Sequence, residues 1–180
     1  MPLSSSLNSP AALFRKLERE GYRAFHAKSP TTKADHFYNF CVTAASMRDY
    51  CLEHLGKTLP QDKKPLYDMW SKVPALVAAT EIANSSKHFV LRNKRTNATL
   101  PPKTRTVRLK KADFIDVYSD SSGRGILVPS SRTEVSVTLS DKRILELYAF
   151  TDEVTKYWRK YLASIGVKLR RQPLGQLAAK

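Results

Sequence analysis

The sequence predicts a mainly α fold, an antiparallel helical bundle with a small antiparallel β-meander inserted before the last long helix. Three observations carry that expectation. Apolar residues recur at helical spacing from residue 9 to residue 92. Between residues 104 and 139 the period drops to two. Helical spacing then returns over residues 140–166, and residues 167–180 form a basic tail. At 180 residues the whole chain, 1–180, reads as a single domain.

Residues 1–8 read as a loose tail. Ser9 and Pro10 open the first helix, with proline at the tolerated first-turn position. Leu13, Leu17, Tyr22 and Phe25 give its inward stripe, Arg15, Lys16, Arg19 and Arg23 face out, and Ser29-Pro30 stops it. A second helix is expected from Thr32, with Asp35 three residues on in a capping-box pattern. Phe37, Phe40, Cys41, Ala44, Met47, Cys51 and Leu55 keep one face for about six turns, and Gly56 suits the C-terminal cap. Asp35, His36, Asn39, Arg48 and Asp49 read as its solvated face.

Asp62 to Trp70 fits a short helix. Ser71 is then expected to cap a longer one, running from about Lys72 to Arg92 with Pro74 in its first turn. Asn93 to Lys103, with Pro101-Pro102, reads as loop. Val107 and Leu109 alternate with Arg108 and Lys110, followed by Phe114 to Tyr118. Ser119 to Gly125 forms a turn cluster. Ile126 to Val128, a turn at Pro129-Ser130-Ser131-Arg132, and alternating Val135, Val137 and Leu139 complete the meander. Ser140 is expected to cap the last helix, with Asp141 in its first turn, a buried stripe of Ile144, Leu147, Val154, Trp158, Tyr161 and Ile165, and Gly166 at its end.

The chain carries 31 Lys and Arg against 16 Asp and Glu, for a net charge of +15 and a pI near 10.0. A surface so basic attracts polyanions, nucleic acid first, then anionic membrane or an acidic protein. The distribution argues against an even solubilising charge. Nine bases and no acid lie between Ile82 and Ala112: Lys87, Arg92, Lys94, Arg95, Lys103, Arg105, Arg108, Lys110 and Lys111. Seven more, again without an acid, lie between Val154 and the C-terminus. No membrane span is expected, because no apolar run nears the roughly 20 residues that cross a bilayer, and no membrane-surface binding, because the basic segments lack the Trp, Phe and Leu face of an interfacial helix.

Cys41 and Cys51 fall in one helix, roughly 15 Å apart, too far for a disulfide. They read as small buried hydrophobes of a reduced, cytoplasmic protein. The N-terminal Met1-Pro2-Leu3 has no basic region before an apolar core, so no signal peptide is expected.

The chemistry-bearing stretch is Glu81 to Arg92. Asn84 and His88 lie four residues apart and so share one helical face. Phased at about 100° per residue, that face is also the side of Trp70, Val73, Val77 and Leu91. An amide and an imidazole in an apolar stripe must find partners. Other chemistries are poorly served. The four histidines show no metal-ligand spacing, no glycine loop cradles phosphate, and no Gly-x-Ser-x-Gly elbow is present, so neither metal nor cofactor is expected. Tyr118, Tyr157 and Tyr161 offer rings for base stacking, although at this spacing such rings also suit a core.

A helical hairpin, followed by a helix bearing a polar residue, three free positions and a histidine, resembles HEPN domains, here on Asn84-Ser85-Ser86-Lys87-His88. The family's arginine precedes the polar residue, and Ala83 stands there instead. The resemblance spans residues 9–92 and the last helix and leaves the strands unexplained. It implies a prokaryotic or phage defence or toxin-type protein that binds RNA, with a two-fold homodimer bringing two motifs together. It further implies metal-independent RNA cleavage, with His88 as general base or acid near a ribose 2′-hydroxyl and Asn84 orienting it. An imidazole titrating near neutrality suits that proton transfer. Loss of the arginine removes a bidentate phosphate grip, a kind of contact worth about 10²–10³ in rate. Three readings stay open: an RNA-binding protein, an RNase using His88, and a subunit docking an acidic protein partner.

Overall fold

The computed structural model describes residues 7–85, 106–119 and 122–169. Five helices, α1 (Pro10–His26), α2 (Pro30–His54), α3 (Pro60–Trp70), α4 (Pro74–Ser85) and α5 (Leu147–Ser164), are joined by three strands, β1 (Thr106–Ser119), β2 (Gly125–Thr138) and β3 (Ile144–Glu146). The strands form one antiparallel sheet in the order β1-β2-β3, placed before the last long helix as the sequence indicates.

The first two helices start in the same way. Ser9 and Ser29 are extended, each followed by proline, and each hydroxyl accepts a backbone N–H three residues on, from Ala12 at 3.2 Å and Thr32 at 3.1 Å. Pro30 thus opens α2 rather than merely ending α1, and Ser29 caps it instead of Thr32 with Asp35. The steric bar on helical backbone before proline explains both events at once. Gly56, just past α2, holds φ at 64°, the left-handed turn that a C-terminal glycine supplies without strain.

Phe14 and Leu17 of α1, Phe40 and Met47 of α2, Trp70 of α3, Leu76 of α4, and Phe150, Trp158 and Leu162 of α5 share one core. Gly21 lets α1 approach α2 closely: a Cβ there would meet the Phe40 ring at 3.3 Å. Trp70 and Trp158 lie 5.7 Å apart, and Tyr161 packs edge-on against both. Among the described residues, no helix is long and apolar enough to cross a membrane.

The sheet is an antiparallel meander, but its strands divide differently from the expected ones. β1 and β2 form a single hairpin, paired without interruption from Thr106↔Thr138 to Ser119↔Gly125. The expected turn at Pro129–Arg132 is continuous strand, with Pro129 opposite Ile115. β3 pairs only with Ser136–Thr138, so among the described residues β2 at Pro129 has a free edge, where a residue without an N–H is tolerated. The root of the hairpin is buried on both faces, Glu134 through Val137, while its outer half is exposed.

The last helix also starts later than expected. Ser140 does not cap it. Asp141 accepts the backbone N–H of Arg143 at 3.1 Å and its Nε at 2.7 Å, and Lys142 takes φ 71°. That local hydrogen bonding favours a tight turn over a helical first turn. Ile144 consequently lies on β3 and is exposed, not in the buried stripe.

Candidate nucleic-acid interface

The polar motif sits where α4 ends. Ala75, Leu76, Ala78, Ala79 and Ala83 are its buried residues, and Asn84 and Ser85 are exposed. Asn84 is therefore not set into an apolar stripe. The expected stripe ran through Val77, two turns before Asn84 on the same helix, but Val77 is only half-buried, and the buried side of α4 is that of Leu76, Ala79 and Ala83. Ala83, at the position of the family's arginine, is 1% exposed. A side chain at that position points into the core. His88, Lys87, Arg92, Lys94, Arg95, Lys103 and Arg105 lie outside the described residues.

The three remaining candidate cations stand on β1. Arg108 and Lys110 share one face of the strand and Lys111 takes the other, all exposed. Lys110 Nζ donates to Glu146 Oε1 at 2.8 Å, reaching across β2 to β3. The hydrogen bond and the charge of that carboxylate raise the Lys110 ammonium's pKa. Arg108 and Lys111 have no ion-pair partner among the described residues. Tyr118 is exposed on the same strand, whereas Tyr157 and Tyr161 stack on each other, part-buried against Trp158.

Several charged groups have structural roles, among them His36 and Arg48, which were expected on a solvated helix face. Glu20 is buried and pairs with His36 Nδ1 at 2.8 Å and Arg23 Nη1 at 3.2 Å. Arg48 is part-buried near Tyr67 and Tyr157, and burial pulls its pKa down. Lys33 is fully buried, and its Nζ donates to the carbonyls of Ala24 and Phe25 at 2.8 and 2.9 Å, closing the C-terminal end of α1. The clue lay in spacing. Glu20 follows Leu13 and Leu17 at core positions of α1, and Lys33 precedes Phe37 by four residues.

The middle of the hairpin, where Arg132 reaches α1, gathers a polar cluster. The Arg132 guanidinium sits 4.1 Å from the Phe114 ring and 5.1 Å from that of Phe25, and pairs with Asp116 at 3.4 Å. Asp116 also accepts from Ser130 Oγ at 2.8 Å. His26 lies tilted against Tyr22 and edge-on to Phe25, and partial desolvation, then the charges of Arg132 and Lys33, push its pKa below 6.5. Sequence spacing gave no sign of this cluster, because it joins α1 to strands more than 80 residues away.

The cysteines are free and buried, as expected; burial raises the Cys41 thiol's pKa and pushes that of Cys51 up to about 12. Among the described residues, no group of His, Cys, Asp and Glu side chains could hold a metal ion. Comparison with known protein families, with curated proteins and with solved structures finds no match for this chain.

Proposed function

We propose that this is a HEPN-like nucleic-acid-binding protein, with RNA the favoured ligand, acting in a prokaryotic or phage defence or toxin-type system. What carries the reading is the basic stretch from Lys87 to Lys111, which has nine cations and no acid. Its two described flanks leave Asn84, Arg108 and Lys111 exposed. Several acids elsewhere are already committed to ion pairs: Glu18 to Arg159, Asp68 to Lys64, Asp152 to Lys156, and Asp141 and Glu153 to Arg143. With 31 bases against 16 acids the chain carries more cations than its own acids can match, and phosphates would supply the missing counter-charges. The test is RNA affinity against salt. Each neutralised phosphate contributes about −0.7 to −0.9 to the log–log slope, so several units are expected. Affinity unchanged between low and moderate salt would overturn the reading.

Cleavage of RNA is the second reading, and the exposure of Asn84 favours it. Against it stands Ala83, whose position faces the core and offers no phosphate grip. His88→Ala, assayed with EDTA present, separates the two. Cleavage abolished by the substitution establishes the RNase, and binding without cleavage in the parent establishes the first reading.

A further inference from the structure

We infer that two copies of this protein associate through β1, edge to edge and antiparallel, about a two-fold axis passing between their Ala112 residues. β1 is an edge strand, paired with β2 on one side and, among the described residues, with nothing on the other along its whole length. Such an edge is a row of unused N–H and C=O groups, a template for a further strand. The hairpin also has an unmet apolar requirement. Ile115, Val117 and Leu127 share one face of its outer half and are 67%, 70% and 66% exposed, and Tyr118 and Ile126 are exposed on the other. A two-stranded ribbon bare on both faces is marginal in water, and a contiguous exposed apolar patch of this kind marks an interface.

The charges along β1 name the partner as a second copy. Its bases, Arg108, Lys110 and Lys111, lie in the half nearer the helices, and its acids, Asp113 and Asp116, lie in the outer half. Centred on Ala112, an antiparallel self-pairing sets Arg108 opposite Asp116, Lys111 opposite Asp113, and Val107 opposite Val117. Arg108, Lys111 and Asp113 have no partner within the chain among the described residues. The two-fold axis is perpendicular to the sheet, so facing residues must point to the same side, and the register can shift only in steps that move the centre by one residue. Centring on Lys111 places Lys111 against its own copy, and centring on Asp113 places Asp113 against its own copy. Both neighbouring registers juxtapose like charges, which is destabilising in directly facing pairs. The symmetric pairing would join the two hairpins into one continuous sheet with an isologous interface.

The test uses the nucleic-acid-free full chain at physiological ionic strength, where the Debye length of about 8 Å screens the net charge but leaves contact pairs intact. Sedimentation equilibrium is expected to give a dimer for the parent. Lys111→Asp sets two acids opposite each other and Asp113→Lys two bases, so each variant alone is expected to be monomeric. An equimolar mixture of the two restores opposite charges at both positions and is expected to form a heterodimer. A monomeric parent, dimers of either single variant, or a mixture that stays monomeric would each overturn the inference. Should either variant lose its helical circular dichroism, Ala112→Cys decides instead. A short bis-maleimide is expected to cross-link that variant into dimers, since Cys41 and Cys51 are buried and do not compete, and failure to do so overturns the inference.

Discussion

Glu134 Oε1 accepts a hydrogen bond from the backbone N–H of Leu147 at 3.0 Å, so a strand residue caps a helix that begins 13 positions later. The N-cap residue of α5, Glu146, makes no side-chain cap of its own. Glu134 is 2% exposed, and the helix N-terminus supplies the partial positive charge that favours a carboxylate there. This contact ties β2 to the start of α5, alongside the burial of Val135 and Val137 in the shared core. Glu134→Ala is expected to cost about 1–3 kcal/mol by orphaning the buried N–H, read as a lowered urea midpoint with unchanged slope. Glu134→Gln keeps an acceptor and should lose clearly less.

Lys33 plays the corresponding part at the other end of a helix. Its ammonium satisfies two terminal carbonyls of α1, Ala24 and Phe25, and burial pulls its pKa down from the ordinary lysine value. Lys33→Met removes a buried charge, which favours the fold, but leaves two acceptors unpaired. The second effect wins, because each orphaned carbonyl costs about 1–3 kcal/mol. A net destabilisation of about 2 kcal/mol is expected in urea unfolding.

These two residues also show where sequence reading reaches its limit. The apolar periods of α1, α2 and α5 are local properties, and they located those helices and most of the shared core, from Leu13 to Trp158. The delayed start of α5 was not legible, because a turn built by Asp141 and Arg143 competed with a helical first turn over the same residues. Pro129 looked like a turn because its tolerance depends on the sheet edge, which only the pairing partners define. Asn84 was expected in an apolar stripe because Val77 shares its face, but on α4 small alanines rather than Val77 mark the buried side. The clustering of positive charge was plain in the sequence, but the neutralisation of Lys110 by Glu146, 36 residues away, was not.

His26 makes stability depend on pH in a predictable direction. Its folded pKa lies below 6.5, through burial first and then the charges of Arg132 and Lys33. The unfolded chain therefore takes up this proton first as the pH falls, and the fold loses stability below about pH 6.5. His26→Phe preserves ring contacts with Tyr22 and Phe25 and cannot titrate. The drop in melting temperature between about pH 7.5 and pH 5.5 should be smaller in the variant than in the parent. Parallel pH profiles for the two proteins would remove His26 from this role.

The thiols give a separate probe of the core. Cys41 and Cys51 are both fully buried, and burial raises both pKa values. A thiol reagent attacks the thiolate, so both cysteines should be inert in the native protein at neutral pH and react together once denaturant unfolds it. Reaction of one cysteine well below the unfolding midpoint would mean that α2 opens locally.

The pairing of Lys110 with Glu146 bears on the RNA-binding proposal. Glu146 is the carboxylate that neutralises this candidate phosphate contact, and its side chain contributes no cap to α5. Glu146→Gln would release Lys110 without disturbing the helix. If Lys110 lies in the interface, the variant binds RNA more tightly than the parent. The log–log salt slope should then steepen by about 0.7–0.9, one phosphate's worth of counterion release. An unchanged slope would place Lys110 outside the contact and leave the interface to the cations that precede β1 in the chain.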